Sequence, residues 1–455
     1  MKSFKKIYDI SIIGNGITGL ISAFLLSKKF PQKKILVIGK KDYENSASMA
    51  AGAMHAVFCE IEKNFSNSKM EKIFLRIGLK SRKSWLNLIK NNNLQKIITA
   101  KDTIFYLKPN AANFEKQNFD IACKIAKKYK KLKRVNSNLL KKYFKGTLKS
   151  KKFKCYRVEN EFSFNPIMLK NELLKYLYRK IDIKFKNINK INFKKNKFII
   201  DDKFLSKKLV VCSGFGSADI TKNLFNAVPV LKGVGTAFIL KNNVFKNFKT
   251  VIRTSNRGGA QCGLHILPYN LKKGEIYVGA GNYISNKKEP HIRLETINYL
   301  LRLLREEFFS KKILYNSKIK ILKGYRPKSL DNCPSIGAVN KNLYYVSGTN
   351  RVGLSWSPYI AEQIVKWIEN KKTDPIFSNF KPDRKLKTWG NAEKSYQYYA
   401  SSRVSNLYEH KISIKNEKIL YEKLFQFAKD TNIKIVKKKK LGKNFVIDPD
   451  CYKFF

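Results

Sequence analysis

The sequence predicts an α/β protein, on three observations. Ile10, Ile12 and Ile13 form a short apolar strand that runs into a glycine-rich turn. A helix-periodic stretch and a second apolar strand, ILVI at residues 35–38, follow at once. Far downstream, LYYV at 343–346 and the apolar face of Ile360, Ala361, Ile364, Val365 and Ile368 repeat the strand–loop–helix order.

The opening stretch, IYDISIIGNGITGLISAFLLSKK at 7–29, admits three readings. A secretory leader ends in small residues at a cleavage site, whereas this run ends in Ser27, Lys28, Lys29 and Phe30. A membrane span does not carry Asp9, Asn15 and three glycines so close together. A strand–turn–helix unit uses all of them. Gly14, Gly16 and Gly19 form GxGxxG: the first allows the tight turn, the second lets backbone approach a pyrophosphate, and the third lets helix pack on strand. Ile17 and Thr18 open the helix, where free N–H groups and the positive dipole end suit phosphate. The motif alone is weak evidence. With its strand, helix and second strand in place it reads as a dinucleotide site.

One position departs from that pattern. An acidic residue normally ends the second strand and binds the ribose hydroxyls. Here Gly39 stands there, followed by Lys40, Lys41 and Asp42. The ribose contact falls to backbone, to Asp42 or elsewhere. Lys40 suits an extra phosphate, so this turn does not separate FAD from NADP.

Next comes NSASMAAGAMHAVF, 45–58, where Ser46, Ala47, Ala51, Gly52 and Ala53 leave backbone free to lie against a ligand. Taken with GNGITG, the segment resembles the second phosphate- and flavin-approaching loop of the D-amino acid oxidase and glycine oxidase (DAO) family of FAD enzymes. FSFNPIMLKNELL, 162–174, is similar to that family's central strand-to-helix element. LVVCSGFGS, 209–217, looks like its apolar strand ending in a glycine turn, here Gly214. CGLHILPYNLKKGEIYVGAGN, 262–282, is similar to its strand pair over the flavin. GYRPKSLDNCPSIG, 324–337, followed by LYYVSGTNRVGLSWSPYIAEQIV, 343–365, resembles its C-terminal flavin-binding signature. The resemblance runs over roughly residues 5–370 and is weak between about 60 and 160.

The resemblance implies FAD as cofactor. It puts Gly348, Asn350, Arg351, Val352, Gly353 and Leu354 in the loop beside the flavin. Ser357 then suits a helix N-cap and Pro358 the first helical position. The helix so started aims its positive end at the ring, where negative charge develops on reduction. Arg326, in GYRP, matches the family's substrate-carboxylate arginine, a role suited to the guanidinium fork. Arg351 matches a second arginine beside flavin and substrate. His265 falls on a strand near the ring, as a pocket residue or as a satisfied strand histidine. His55 faces either the flavin or the core.

The implied reaction takes a hydride from the α-carbon of an amino acid or secondary amine and gives an imine that water hydrolyses. It needs no catalytic base, and none is identified. A second GxGxxG and a CxxxxC near the first helix are both missing from the sequence. The expected electron acceptor is therefore oxygen or a separate molecule rather than a built-in NAD(P)H domain or disulfide. Two other chemistries keep the fold: a 2-hydroxy acid dehydrogenase with His55 or His265 as base, and an RNA-associated flavoenzyme acting on a modified base. A flavin-binding protein without catalysis is the last alternative.

The cofactor domain is expected to be discontinuous, over 1–60, 160–225 and 320–372. A substrate domain with a mixed or antiparallel sheet takes 61–159 and 226–319, including an amphipathic helix in IRLETINYLLRLLREEF. The segment 373–455 reads as a small α+β extension of unknown role, with a helix near 417–429, packing tyrosines at 396, 398, 399 and 408, and KKKK at 437–440 in a solvated turn or edge strand.

Composition adds bounds. The 93 Lys and Arg against 33 Asp and Glu give +60, yet lysine is spread along the chain and no compact arginine-rich motif is present. A nucleic-acid partner is accordingly not the expectation, and contact with an anionic membrane surface stays open. Seven widely spaced cysteines without a CxxC, and four scattered histidines, read as reduced thiols and no metal site. With no transmembrane segment and no convincing signal in the sequence, the expected location is the cytoplasm.

Overall fold

The computed structural model describes residues 6–43, 45–64, 68–108, 110–135, 154–258 and 263–455. Its first sheet grows from the opening strand. β1 (Ile7–Ile13) lies between β2 (Ile35–Gly39) and β12 (Phe204–Val211), parallel to both. Ile12 faces Val37 on one side and Val210 on the other, and all three are fully buried. Cover on both faces is what a parallel sheet requires, and it explains the unbroken apolar run. β9 (Asp182–Phe185) extends the sheet past β2. β12 pairs with β11 (Lys197–Ile200) along its first half and β19 (Leu343–Ser347) along its second. β10 (Ile191–Lys194) and β18 (Ser335–Ala338) complete the eight strands.

Helix α1 (Ile17–Lys29) follows β1, and α2 (Lys69–Asn91) begins at Ser68, whose hydroxyl accepts from Glu71 N–H. The domain division drawn from sequence puts α2 with the substrate domain. Its apolar face instead joins the core of the first sheet through Ile73, Ile77, Trp85 and Leu88. Helix α3 (Asn113–Lys128) packs elsewhere, where Phe119 stacks on Phe105. Helix α4 (Pro166–Leu177) starts as FNP suggests: Asn165 accepts from Ile167 and Met168 N–H, and Pro166 takes the first position.

The second sheet has the order β17 (Lys318–Ser329), β13 (Val230–Lys241), β16 (Glu275–Ser285), β15 (His265–Asn270), β14 (Val251–Thr254), β5 (Thr103–Leu107), β7 (Lys154–Val158), β6 (Leu132–Arg134). Only β14 and β5 run parallel, so the sheet is mixed. β17 pairs with β13 over its whole length, which places residues 320–329 in this sheet and not in the first. Helix α5 (Leu294–Leu303) and the π-turn Leu304–Phe308 pack on it. A three-stranded sheet of β3 (Met54–His55), β8 (Phe162–Phe164) and β4 (Ile98–Ala100) lies nearby, where Asn165 also donates to Tyr269 O of β15. Cys262, the first residue of the 262–282 motif, falls outside the described residues.

Helix α6 (Gly353–Ile368) begins four residues before the cap that Ser357 and Pro358 suggest. Pro358 sits inside it and has no N–H for Leu354 O. The Ser357 hydroxyl donates to that carbonyl at 2.8 Å, which is why the helix tolerates the proline. Trp85 Nε1 and the Ser81 hydroxyl both donate to Ser355 O, tying α2 to the same turn.

The extension is helical rather than α+β. Helices α7 (Ala392–Glu409) and α8 (Glu417–Lys438) form a hairpin, and 373–455 contains no strand among its described residues. In α8, Ala428, Asn432 and Val436 are buried at four-residue spacing, so the apolar IKIV run follows a helical face. Lys437 and Lys438 close α8, where cations complement the dipole. Tyr396 and Tyr398 are buried, and Tyr408 is exposed. The extension docks firmly: Lys328 Nζ on β17 meets Asp448 Oδ2 at 2.9 Å, with both side chains buried. Among the described residues no helix is long and apolar enough to cross a membrane.

Candidate functional site

The two large sheets enclose a cavity. From the first come the start of α1 with Gly16 and Thr18, and the end of β12 with Cys212 and Gly214. The loop after β19 and the start of α6 add Asn350, Arg351, Gly353 and Leu354. Ala47, Ala51, Gly52 and Ala53 form another wall. This loop is clamped to the second sheet: Tyr325 N–H donates to Asn45 O, and the Tyr277 hydroxyl donates to Ala50 O. The second sheet supplies Arg253, His265, Tyr277 and Arg326.

Most of the sequence-derived candidates therefore meet at one place, and seven do not line it. Gly14 and Gly19 are packing residues: a Cβ on Gly14 would sit 2.4 Å from Cys212 O, and one on Gly19 1.9 Å from Gly14 O. Ile17 is buried in the core, though its N–H donates to Ser48 Oγ. Ser46 bridges to Tyr325. Gly348 and Val352 line an adjoining cavity. Lys40 has an exposed side chain, and its carbonyl accepts from Asn15 Nδ2 at 2.7 Å. Asn15 also accounts for Gly39: a Cβ there would lie 2.2 Å from Asn15 Oδ1. The side chain of Asn15 thus fills the space beyond β2 that an acidic residue would need.

These residues fit a flavin dinucleotide. A Cβ on Gly16 would meet only Ser48 Oγ at 3.3 Å, and one on Gly214 nothing within 4 Å, so both backbones are open to a ligand. Two helix N-termini, of α1 and α6, reach the cavity without an acidic residue in the first turn or a side-chain cap. Both leave N–H groups for an anionic ligand.

Arg326 lies flat across β13. A Cβ on Gly233 would come within 3.7 Å of its Nε, and one on Gly235 within 3.6 Å of its Nη2. A Cβ at either position would thus just touch the guanidinium, and a side chain extending beyond Cβ would compete with it for the same space. The period-two glycines of KGVG beside GYRP are the sequence signal for this floor.

Arg351 is held in a chain of charges. Glu60 Oε2 accepts from its Nε at 3.0 Å and from Nη2, and Glu62 Oε1 lies 3.3 Å from Nη1. Glu60 Oε1 in turn meets Arg253 Nη2 at 2.7 Å. Burial raises the Glu60 carboxyl, and the Arg253 and Arg351 guanidinium groups outweigh it, bringing the pKa to about 2. Arg253 and Glu60 escaped the sequence reading. A lone arginine in the strand VIRT was their one available signal.

Both candidate histidines are neutral. Burial, then Arg253, lowers His265 to about 3, and burial, then Arg82, does the same to His55. His55 does not line the cavity. Its Nδ1 lies 2.8 Å from Ser355 Oγ and its ring stacks on Phe162. Folded values below the unfolded value near 6.5 mean that the unfolded chain binds more protons. This contribution to stability is complete above about pH 6.5 and declines as pH falls toward 3. We expect His55→Gln to lose less stability than wild type on acidification, by about 1.4 kcal/mol per pH unit between about pH 6 and 4, in urea titrations. Parallel pH slopes for the two proteins would refute this.

Comparison with known proteins agrees with this architecture. The family model described as "DAO: FAD dependent oxidoreductase" matches residues 9–367, leaving the extension outside. A search of curated protein sequences finds no match. Among solved structures, glycine oxidase from Geobacillus kaustophilus is similar at a TM-score of 0.68 and 16% identity, covering 84% of this chain and 100% of that one. L-proline dehydrogenase from P. horikoshii is similar at 0.66 and 15%, covering 83% and 98%. L-α-glycerophosphate oxidase from Mycoplasma pneumoniae, solved with FAD bound, is similar at 0.65 and 15%, covering 84% and 99%. A cavity built from a glycine-rich strand–helix turn, a small-residue loop and a second helix N-terminus, together with a family match over most of the length, leads to one conclusion: the chain belongs to the DAO family of FAD-dependent oxidoreductases.

Proposed function

We propose that the protein oxidises an amino acid or secondary amine at the carbon between nitrogen and carboxylate. The observation that carries this is Arg326, laid across Gly233 and Gly235 on the cavity wall, where its fork can hold a carboxylate. FAD, when bound, supplies the acceptor for a hydride. Gly16 and Thr18 at α1, the 47–53 loop, Gly214 and the start of α6 at Gly353 and Leu354 would hold it. Arg326 fixes the substrate's carboxylate and so orients the α-carbon. The C–H bond beside the nitrogen breaks, and the imine product then hydrolyses in water.

Arg351 acts through Glu60 and Glu62, its ion-pair partners, and keeps Glu60 ionised on the cavity wall. His265 contributes a neutral ring. Oxidation of a 2-hydroxy acid calls for a base on the hydroxyl, poised near the working pH. His55 is away from the cavity and His265 is too weakly basic, so the residues favour an amine, whose nitrogen lone pair needs no such base. Two similar structures, named glycine oxidase and L-proline dehydrogenase, lend support.

The test is the visible spectrum of the FAD-loaded protein without oxygen, as pools of amino acids, N-methyl amino acids and hydroxy acids are added. Bleaching by an amine pool is expected. Bleaching by hydroxy acids alone would replace the proposal with the 2-hydroxy acid route.

A further inference from the structure

A second cation faces the cavity with donors to spare. Arg253 lies on β14 between buried Ile252 and Thr254, and is itself only 2% exposed. Its Nη2 meets Glu60, whereas Nε and Nη1 have no hydrogen-bond partner among the described residues. Buried donors without acceptors cost free energy, and native structures rarely leave them so. Its cross-strand neighbour is His265, so both side chains stand on the cavity face of the sheet. No acidic side chain other than Glu60 forms an ion pair with Arg253 among the described residues.

We propose that Arg253 anchors a second acidic group of the substrate, so that the preferred amine carries two acidic groups. The inference rests on amine oxidation in this cavity with Arg326 on the α-carboxylate. Four strand spacings separate β17 from β14, about 19 Å between outer backbones. Arg326 reaches back over β13 and narrows that interval. Both guanidinium groups line the same cavity and act electrostatically on the His265 ring, which lies on β15 between them, so they suit a substrate with two acidic groups several atoms apart, as in aspartate, glutamate or iminodiacetate. A monoacid such as glycine would leave the Arg253 donors unmet.

The experiment uses the FAD-loaded protein and two acids that cannot be oxidised at an amine, glutarate and butyrate. Their binding is read from the perturbed flavin spectrum. Wild type should bind glutarate about 10- to 100-fold more tightly than butyrate, the range for a hydrogen bond to a charged group. In Arg253→Gln that ratio should fall to within about threefold, and Arg253→Lys should restore part of it. Equal binding of the two acids by wild type overturns the proposal, whether or not the variants fold. Anaerobic reduction by glycine, N-methylglycine, glutamate and iminodiacetate separates the two readings. If monoacid amines bleach the flavin and glutarate has no advantage, amine oxidation stands and the role of Arg253 falls. If glutarate binds preferentially and no amine bleaches the flavin, the anionic subsite stands and amine oxidation falls.

Discussion

Arg326→Ala should lower kcat/KM for the amine substrate by about 30- to 4,000-fold while the protein keeps its FAD. Truncating one partner of a desolvated, hydrogen-bonded charge pair costs about 2–5 kcal/mol, and each 1.4 kcal/mol is tenfold. The substrate carboxylate would enter a cavity whose wall at Gly235 and Gly324 offers it no side chain. Without the guanidinium it loses both its counter-charge and its orientation, so KM rises and kcat falls together. Arg326→Lys keeps the charge and loses the fork, and it should recover only part of the rate. Flavin retention follows from position: Arg326 lies on β17 of the second sheet, whereas α1, the 47–53 loop and α6 form the other walls. Steady-state kinetics beside the flavin absorbance of the same sample would check it. Loss of FAD with loss of turnover would move Arg326 from substrate binding to cofactor binding. Unchanged kcat/KM would remove it from the site.

The parts of this architecture that sequence displays are those built from contiguous residues. GNGITG, with an apolar strand before it and a helix after it, specifies β1, α1 and the turn between them locally, and the structure has all three. Asn165 and Pro166 mark the start of α4 in the same way. What sequence concealed depends on contacts between distant segments. Gly39 looked like a missing acidic residue, yet it is the space occupied by Asn15, 24 positions earlier. Ser357 and Pro358 have the chemistry of a helix start, but α6 gains another turn because Trp85 and Ser81 of α2 bind the carbonyl of Ser355. Arg253 gave little sign of itself, since its meaning lies in Glu60 and His265 on other segments. The extension reads ambiguously because α8 is amphipathic only against partners that fold around it, such as Tyr396 and Tyr452.

Arg257→Ala should have the largest effect on stability, a loss of about 3–5 kcal/mol, the cost of removing one partner of a buried ion pair. Arg257 and Glu115 are both fully buried, with Arg257 Nε 3.0 Å from Glu115 Oε1. The same guanidinium meets Glu307 Oε1 at 2.6 Å and Oε2 at 2.9 Å, and Glu409 Oε2 lies 3.6 Å away. Three carboxylates from α3, the π-turn and the end of α7 thus converge on one cation. Lys108, paired with Glu409, is left as their one remaining counter-charge among the described ion pairs in this cluster. Burial already raises Glu115 to about 7 against the pull of Arg257, and removing the arginine raises it further. A carboxyl raised in the folded state stabilises at low pH and loses that contribution as pH rises through its folded value. The deficit of Arg257→Ala relative to wild type should therefore be greatest near neutral pH and shrink toward about pH 5 as the Glu115 carboxyl takes up a proton. Because Glu409 ends α7, and the Ser405 hydroxyl donates to Arg257 O, the extension should be the first segment to loosen. Urea titrations at several pH values, with limited proteolysis of the native protein, test both statements. A deficit below about 1 kcal/mol, or one independent of pH, would mean that the three carboxylates find water or other partners when the arginine is gone.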